Sequence, residues 1–157
     1  MFYSFFNKTI SSQITPPTSK MVKVFKKQYE IMKKKDWKKI YVAVDIHETI
    51  MVPTWSSELS NQYYPYAIDS LQLMSKRDDL CLILWTCSTQ SNIDQYLNEF
   101  KSKNINFRYV NCNPEIENTT FANFTDKFYI NVGLDDKFGF EPSEWEHIYK
   151  YFNELPN

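Results

Sequence analysis

The residues of this sequence best suited to chemistry stand at the edges of short apolar runs. Asp45 closes the run Ile40-Tyr-Val-Ala-Val44, and Thr49 follows four residues later. Thr86 closes a second run, Leu80 to Trp85. Asp135 and Asp136 stand together after a third, with Lys127 eight residues before Asp135. Each alone is a weak signal, because an aspartate after a strand is commonly a helix cap or a turn residue. Two adjacent carboxylates at one strand end repel each other unless they are solvated or bound to a cation. The ordered set of Asp, Thr, Lys and Asp-Asp carries more weight than its members.

Such a set needs elements that bring its members to one place. Ile40–Asp45, Leu80–Trp85, Phe107–Val110 and Phe128–Leu134 read as short buried strands. Ala67–Lys76, Ser91–Lys103 (with Ser91 as N-cap) and Ser143–Tyr151 read as helices. Strand and helix alternate, which predicts an α/β fold: a parallel, three-layer Rossmann-like sheet with helices on both faces. Ligands of such sheets bind beyond the carboxyl ends of the strands. The polar clusters Asp45 to Thr49, Thr86 to Ser88 and Asp135-Asp136 all fall there. Lys127 falls at the opposite end of its strand or in the loop before it.

Ahead of this body the chain changes character. Residues 1–20 read as an irregular leader with Pro16-Pro17 and several Ser and Thr. Met21–Lys39 reads as a basic amphipathic helix, with Val22, Phe25, Tyr29 and Met32 on one face. Residues 40–157 form the remaining domain. Residues 1–39 carry a net +8 and residues 40–157 a net −9. The basic segment is expected to be a solvated helix face, a contact for nucleic acid or another polyanion through residues 20–39, or a surface docked on the acidic body.

With 157 residues and 43% hydrophobic content, one domain with a sizeable core is expected. The three cysteines form no C-x-x-C pair and no signal peptide precedes them, which predicts a reduced, cytoplasmic protein. The apolar runs are too short to span a bilayer, so no membrane association is expected.

The ordered set resembles the four motifs of the haloacid-dehalogenase-like (HAD) hydrolase superfamily. Asp45 to Thr49 resembles its Asp-x-Asp-x-Thr motif, Thr86 its second, Lys127 its third, and Asp135-Asp136 its fourth. The stretch Asp126 to Phe140, followed by Glu141-Pro-Ser-Glu-Trp145, is similar to small capless members from bacteria and phages. The resemblance runs from about Ile40 to Phe152. It implies an Asp45 nucleophile that forms an aspartyl-phosphate. It implies Mg2+ held by the Asp45 carboxylate, the backbone carbonyl of His47 and a carboxylate of Asp135 or Asp136. It also implies a phosphoryl contact from Thr86 and charge neutralisation by Lys127. Only 36 residues separate Thr49 from Thr86 and 40 separate Thr86 from Lys127, which leaves no room for a separate cap domain. An open site is therefore expected, with loops 50–65 and 111–126 as candidate lids.

Two positions depart from the family pattern. His47 stands where family phosphatases carry an acid/base Asp, and a histidine can exchange protons near neutral pH. Glu48 stands where glycine is common, adding bulk and negative charge. Trp55 is a candidate substrate-stacking residue or a packing residue. Cys87 reads as an inert small side chain, and His147 as structural or solvated. Two functions follow as expectations. One is a Mg2+-dependent phosphohydrolase acting on a phosphorylated substrate. The other is a catalytically inactive HAD-like domain that serves as a binding or regulatory module. Hydrolysis of a carbon–halogen bond is a third, lesser reading.

Overall fold

Ile40–Val44 (β1) and Leu80–Leu84 (β2) are apolar at every position and buried at every position. A strand covered on both faces reads this way, because side chains alternate between the two. The computed structural model describes residues 19–54, 56 and 58–156. Residues 1–18 of the expected leader, and Trp55, lie outside the described residues. Among the described residues β1 and β2 are joined by Tyr109–Val110 (β3) and Val132–Leu134 (β4) in one parallel sheet, ordered β3-β2-β1-β4. The α-helices are Lys20–Lys35 (α1), Ala67–Ser75 (α2), Gln90–Ser102 (α3) and Glu144–Glu154 (α4). Strands and helices thus form an α/β fold on an all-parallel sheet, as expected.

The two faces of the sheet are covered differently. Ile40, Val42, Val44, Leu80, Leu82 and Leu84 join one core cluster with Phe25 of α1, Leu71 of α2, Phe100 of α3 and Trp145 of α4. Helices from all four segments therefore meet one face. Tyr41, Cys81 and Ile83, which alternate with those residues, are covered by Tyr109, Ile116, Phe128, Tyr129 and Ile130. Helices on both faces were expected; on the second face irregular chain takes their place. Connection handedness gives the reason. Right-handed crossovers put the β1–β2 and β2–β3 helices on one face, and the return from β3 to β4 on the other. That return, residues 111–131, has no helical period and is rich in Asn. Its asparagines satisfy backbone groups directly. Asn113 Nδ2 donates to the Tyr129 carbonyl at 2.8 Å, and Asn118 Oδ1 accepts from Phe124 N at 2.6 Å.

The predicted fourth strand is shortened to Val132–Leu134 for a related reason. Tyr41 N donates to the side-chain Oδ1 of Asn131 at 2.8 Å, while Asn131 N donates to the Tyr41 carbonyl at 2.8 Å. A side chain thus takes one rung of the ladder.

The basic helix is part of the body. Ser19 caps α1 by accepting from Val22 N at 3.0 Å, and its hydroxyl donates to Glu144 at the start of α4. Lys20 N also donates to that carboxylate, at 3.1 Å, a favourable place for negative charge at a helix N-terminus. Phe25 is fully buried and meets Phe152 edge-on at 5.0 Å. Burying such a ring stabilises by about 2–3 kcal/mol. The helix stops at Lys35, short of the predicted Lys39, because Asp36 takes a left-handed conformation (φ 51°). Helix α3 starts at Gln90 behind Thr89, so Ser91 is inside the helix and is not its N-cap. Among the described residues no helix is long and apolar enough to cross a membrane.

Candidate functional site

Parallel pairing brings the strand ends to one level. Val44 is in register with Leu84 and with Leu134, and Leu84 with Val110. Each ladder continues one residue further. Asp45 N donates to the Leu134 carbonyl at 2.9 Å, Trp85 N to Val44 at 2.9 Å and Asn111 N to Leu84 at 2.8 Å. Asp45, Trp85, Asn111 and Asp135 therefore follow the four strands at the carboxyl edge of the sheet. A cleft of about 470 Å³ opens there, lined by Asp45, His47, Thr86, Asp135, Asp136 and Lys137 among others.

Carboxylate oxygens of Asp45, Asp135 and Asp136 lie within 4.8 Å of one another. Asp135 is 5% exposed, and both its oxygens are held: Oδ2 accepts from Trp85 Nε1 at 2.9 Å and Oδ1 from Lys137 N at 2.7 Å. Asp136 pairs with the Lys137 ammonium at 2.6 Å. Its backbone N donates to Thr49 Oγ1 at 3.2 Å. Thr49 is fully buried, and its carbonyl accepts from Trp145 Nε1 at 2.7 Å. Burial first, then the charges of Asp135 and Asp136, push Asp45 up to about 6, against a backbone hydrogen bond from Ile46 and the charge of Lys137. Three oxygen-donor groups held this close suit a hard divalent cation such as Mg2+. No imidazole nitrogen joins the cluster, so the ring of His47 stands apart from it.

Thr86 is 7% exposed and lines the cleft. Its hydroxyl donates to Ser88 Oγ at 3.0 Å and accepts from Ser88 N at 3.1 Å. Its backbone is clamped by Asn111, which accepts from Thr86 N at 2.8 Å and donates Nδ2 to the Thr86 carbonyl at 2.7 Å. Asn111 has φ 51°, a left-handed conformation that asparagine tolerates better than most residues.

His47 lines the same cleft, half-buried, with Nε2 2.8 Å from the Tyr96 hydroxyl. Burial lowers its pKa below the usual 6.5, against the charge of Glu48. Glu48 sits at φ 56°, where glycine is favoured. Its carboxylate accepts from the Tyr64 hydroxyl at 2.7 Å. Lys127 is placed differently from the other expected site residues. It is exposed and lines a separate cavity of about 160 Å³ with Phe128 and Ile130. Trp85 and Asp135 border both spaces, and Trp85 packs on Phe128 at 5.4 Å. Cys87 is exposed and lines the cleft.

Three contributors were missed in the sequence: Asn111, Lys137 and the indole N–H of Trp85. The signal for Asn111 was its place right after a strand, level with Asp45. Lys137 follows the paired aspartates directly. The Trp85 contact carries no sequence signal, because a tryptophan ending an apolar strand reads as core.

Fold and site together define a parallel α/β protein with a carboxylate cluster at the carboxyl edge of its sheet. No protein-family model matches the chain, and no curated protein matches it. Among solved structures it is similar to a conserved protein from Bacteroides thetaiotaomicron. The two are 22% identical, with a TM-score of 0.57 over 76% of this chain and 93% of the other. At that identity the likeness shows a shared fold alone.

Proposed function

We propose that this chain is a Mg2+-dependent phosphohydrolase of HAD-like architecture that works through Asp45. The observation that carries the reading is the cluster of Asp45, Asp135 and Asp136 within 4.8 Å, at the edge of a parallel sheet, beside the Thr86 hydroxyl. The donor set fits Mg2+, which these three carboxylates would hold. When bound, the ion offsets the repulsion between the carboxylates and a phosphate.

The remaining chemistry belongs to the chain. An Asp45 oxygen attacks phosphorus, the bond to the leaving oxygen breaks, and an aspartyl-phosphate forms. Water then attacks that phosphorus and gives up a proton, and the Asp45 carboxylate is released with inorganic phosphate. Burial lowers the His47 pKa and so favours the neutral ring. It suits the second half, as acceptor of the water proton, better than the first, as donor to the leaving oxygen. Phosphates with good leaving groups are therefore the favoured substrates. Thr86 donates to a phosphoryl oxygen, its position fixed by Asn111. Lys137, which lines the cleft, takes the cationic role that the family pattern gives to Lys127.

A binding or regulatory module is the second reading, and one observation favours it. The Glu48 carboxylate lines the cleft and is held by Tyr64, where it opposes a phosphate dianion. Release of p-nitrophenol from p-nitrophenyl phosphate with Mg2+ separates the two. Turnover that disappears in Asp45→Asn supports the hydrolase. Mg2+ binding without turnover moves the reading to the module, and absence of both refutes each.

A further inference from the structure

A second cleft lies at the opposite end of β1, where the basic helix joins the sheet. Its volume is about 510 Å³, and it is lined by Trp37, Tyr41, Phe124 and Tyr129 together with Lys38 and Lys39. Trp37, Tyr41 and Phe124 each meet the Tyr129 ring nearly edge-on, at 6.2, 6.2 and 5.8 Å. Trp37 is 38% exposed, and Lys35 Nζ lies over its ring at 4.9 Å.

Positive charge surrounds this aromatic surface. Residues 33–39 hold five lysines and one acid, Asp36. Along α1, Lys20, Lys23, Lys27 and Lys34 are exposed. Their spacing of 3, 4 and 7 stacks them on the helix face away from Phe25, with one acid, the exposed Glu30, in the gap between Lys27 and Lys34. At about 1.5 Å per residue that stripe is roughly 21 Å long, more than a single phosphate needs. Its last lysine, Lys34, stands two residues before Asp36, where the lining of the cleft begins.

Charge decides which occupant fits. Aromatic cages also hold quaternary ammonium groups, through the negative faces of their rings. Here the lysines repel a cation. Both acids that line the cleft are already engaged: Asp36 by Lys38 at 2.7 Å, and Glu115 by Lys39 at 2.7 Å, Arg108 at 3.1 Å, Tyr109 at 3.0 Å and Tyr41 at 3.1 Å. A polymer with flat rings and a phosphate backbone satisfies both features at once.

We infer that this cleft and the lysine stripe of α1 bind single-stranded nucleic acid. One base stacks on Trp37 in place of the Lys35 ammonium, which then turns to a phosphate. The lysines of α1 follow the backbone. The five residues of β1 separate this cleft from the carboxylate cluster by roughly 17 Å, so binding here does not depend on Asp45.

The test is fluorescence anisotropy of labelled DNA and RNA oligonucleotides titrated with the full chain, with circular dichroism to check that each variant folds. Single strands are expected to bind, more weakly as salt rises. Trp37→Ala weakens binding about tenfold, Trp37→Phe keeps most of it, and Lys34→Glu with Lys38→Glu abolishes it. Asp45→Asn leaves it unchanged. A duplex of equal length, its bases already stacked on one another, binds less tightly than the single strand. No binding at low salt overturns the proposal. So does unchanged affinity in Trp37→Ala, or a duplex that binds equally well, since either reduces the surface to charge alone.

Discussion

Replacing Asp45 by Asn is expected to make the metal-free protein more stable while ending its response to Mg2+. Asp45 is raised from 3.8 to about 6. At about 1.4 kcal/mol per unit the difference amounts to roughly 3 kcal/mol. Asp45 is only half-buried, and solvent screening cuts this to about 1–2 kcal/mol. The sign follows from proton counting. Between about pH 4 and pH 6 the folded state binds more protons than the unfolded chain, so stability falls as pH rises through that window. Above it the ionised group costs its full amount. Asn carries no charge and relieves that cost. In EDTA at pH 7 the variant is expected to unfold about 3–6 °C higher than the wild type. Below pH 4 the gain disappears, because Asp45 is then neutral in both states. Adding Mg2+ raises the midpoint of the wild type and leaves that of the variant unchanged. Thermal unfolding followed by circular dichroism reads all of these. A variant less stable than the wild type in EDTA at pH 7, or equally stabilised at both pH values, would refute the account of a strained carboxylate cluster.

Other perturbations test the remaining parts. Thr49→Val keeps the shape but removes the acceptor for Asp136 N; a loss of about 1–2 kcal/mol in urea unfolding and weaker Mg2+ binding by calorimetry are expected. Arg77 is bonded to Asp79 at 2.9 and 2.8 Å and to the Pro156 carbonyl at 3.0 Å. Arg77→Ala should cost about 3 kcal/mol or more in the same assay, and no loss would show the pair to be idle. Lys137→Met is expected to lower kcat/KM for an aryl phosphate more than Lys127→Met does, and the reverse order would restore Lys127 to the site. Glu48→Gly removes a carboxylate from the cleft and relieves a left-handed backbone, so phosphate binding should tighten at nearly constant stability.

Much of the fold was legible because it rests on local pattern. The runs Ile40–Val44 and Leu80–Leu84 have no polar interruption, and Asp45 and Thr86 mark where they stop. The helix stripe around Phe25 could be read from spacing alone. What escaped depends on contacts distant in the chain. The stop at Asp36 is a backbone conformation. Asn131 fills a rung of the sheet with its side chain, which no strand propensity anticipates. The covering of the second face follows from strand order, and strand order is set by pairings between residues 26 to 90 positions apart. Asn111 looked like one of several loop asparagines until β3 was placed beside β2.

The candidate site shows the same division, and it also shows what the fold spends on holding charge together. Asp45 is set by the β1–β4 ladder. Asp135 is gripped by an indole from β2 and by the backbone of Lys137. Asp136 hangs on Thr49, whose carbonyl is tied to Trp145, and the Trp145 carbonyl accepts from Ser70 at 3.0 Å. Three carboxylates that repel one another are thus fastened from three directions, the last reaching through α4 into α2. Apolar or neutral residues at these strand ends would fold with less opposition. Retaining the cluster, and bracing it from the core, supports a role in which a cation and a phosphate complete it.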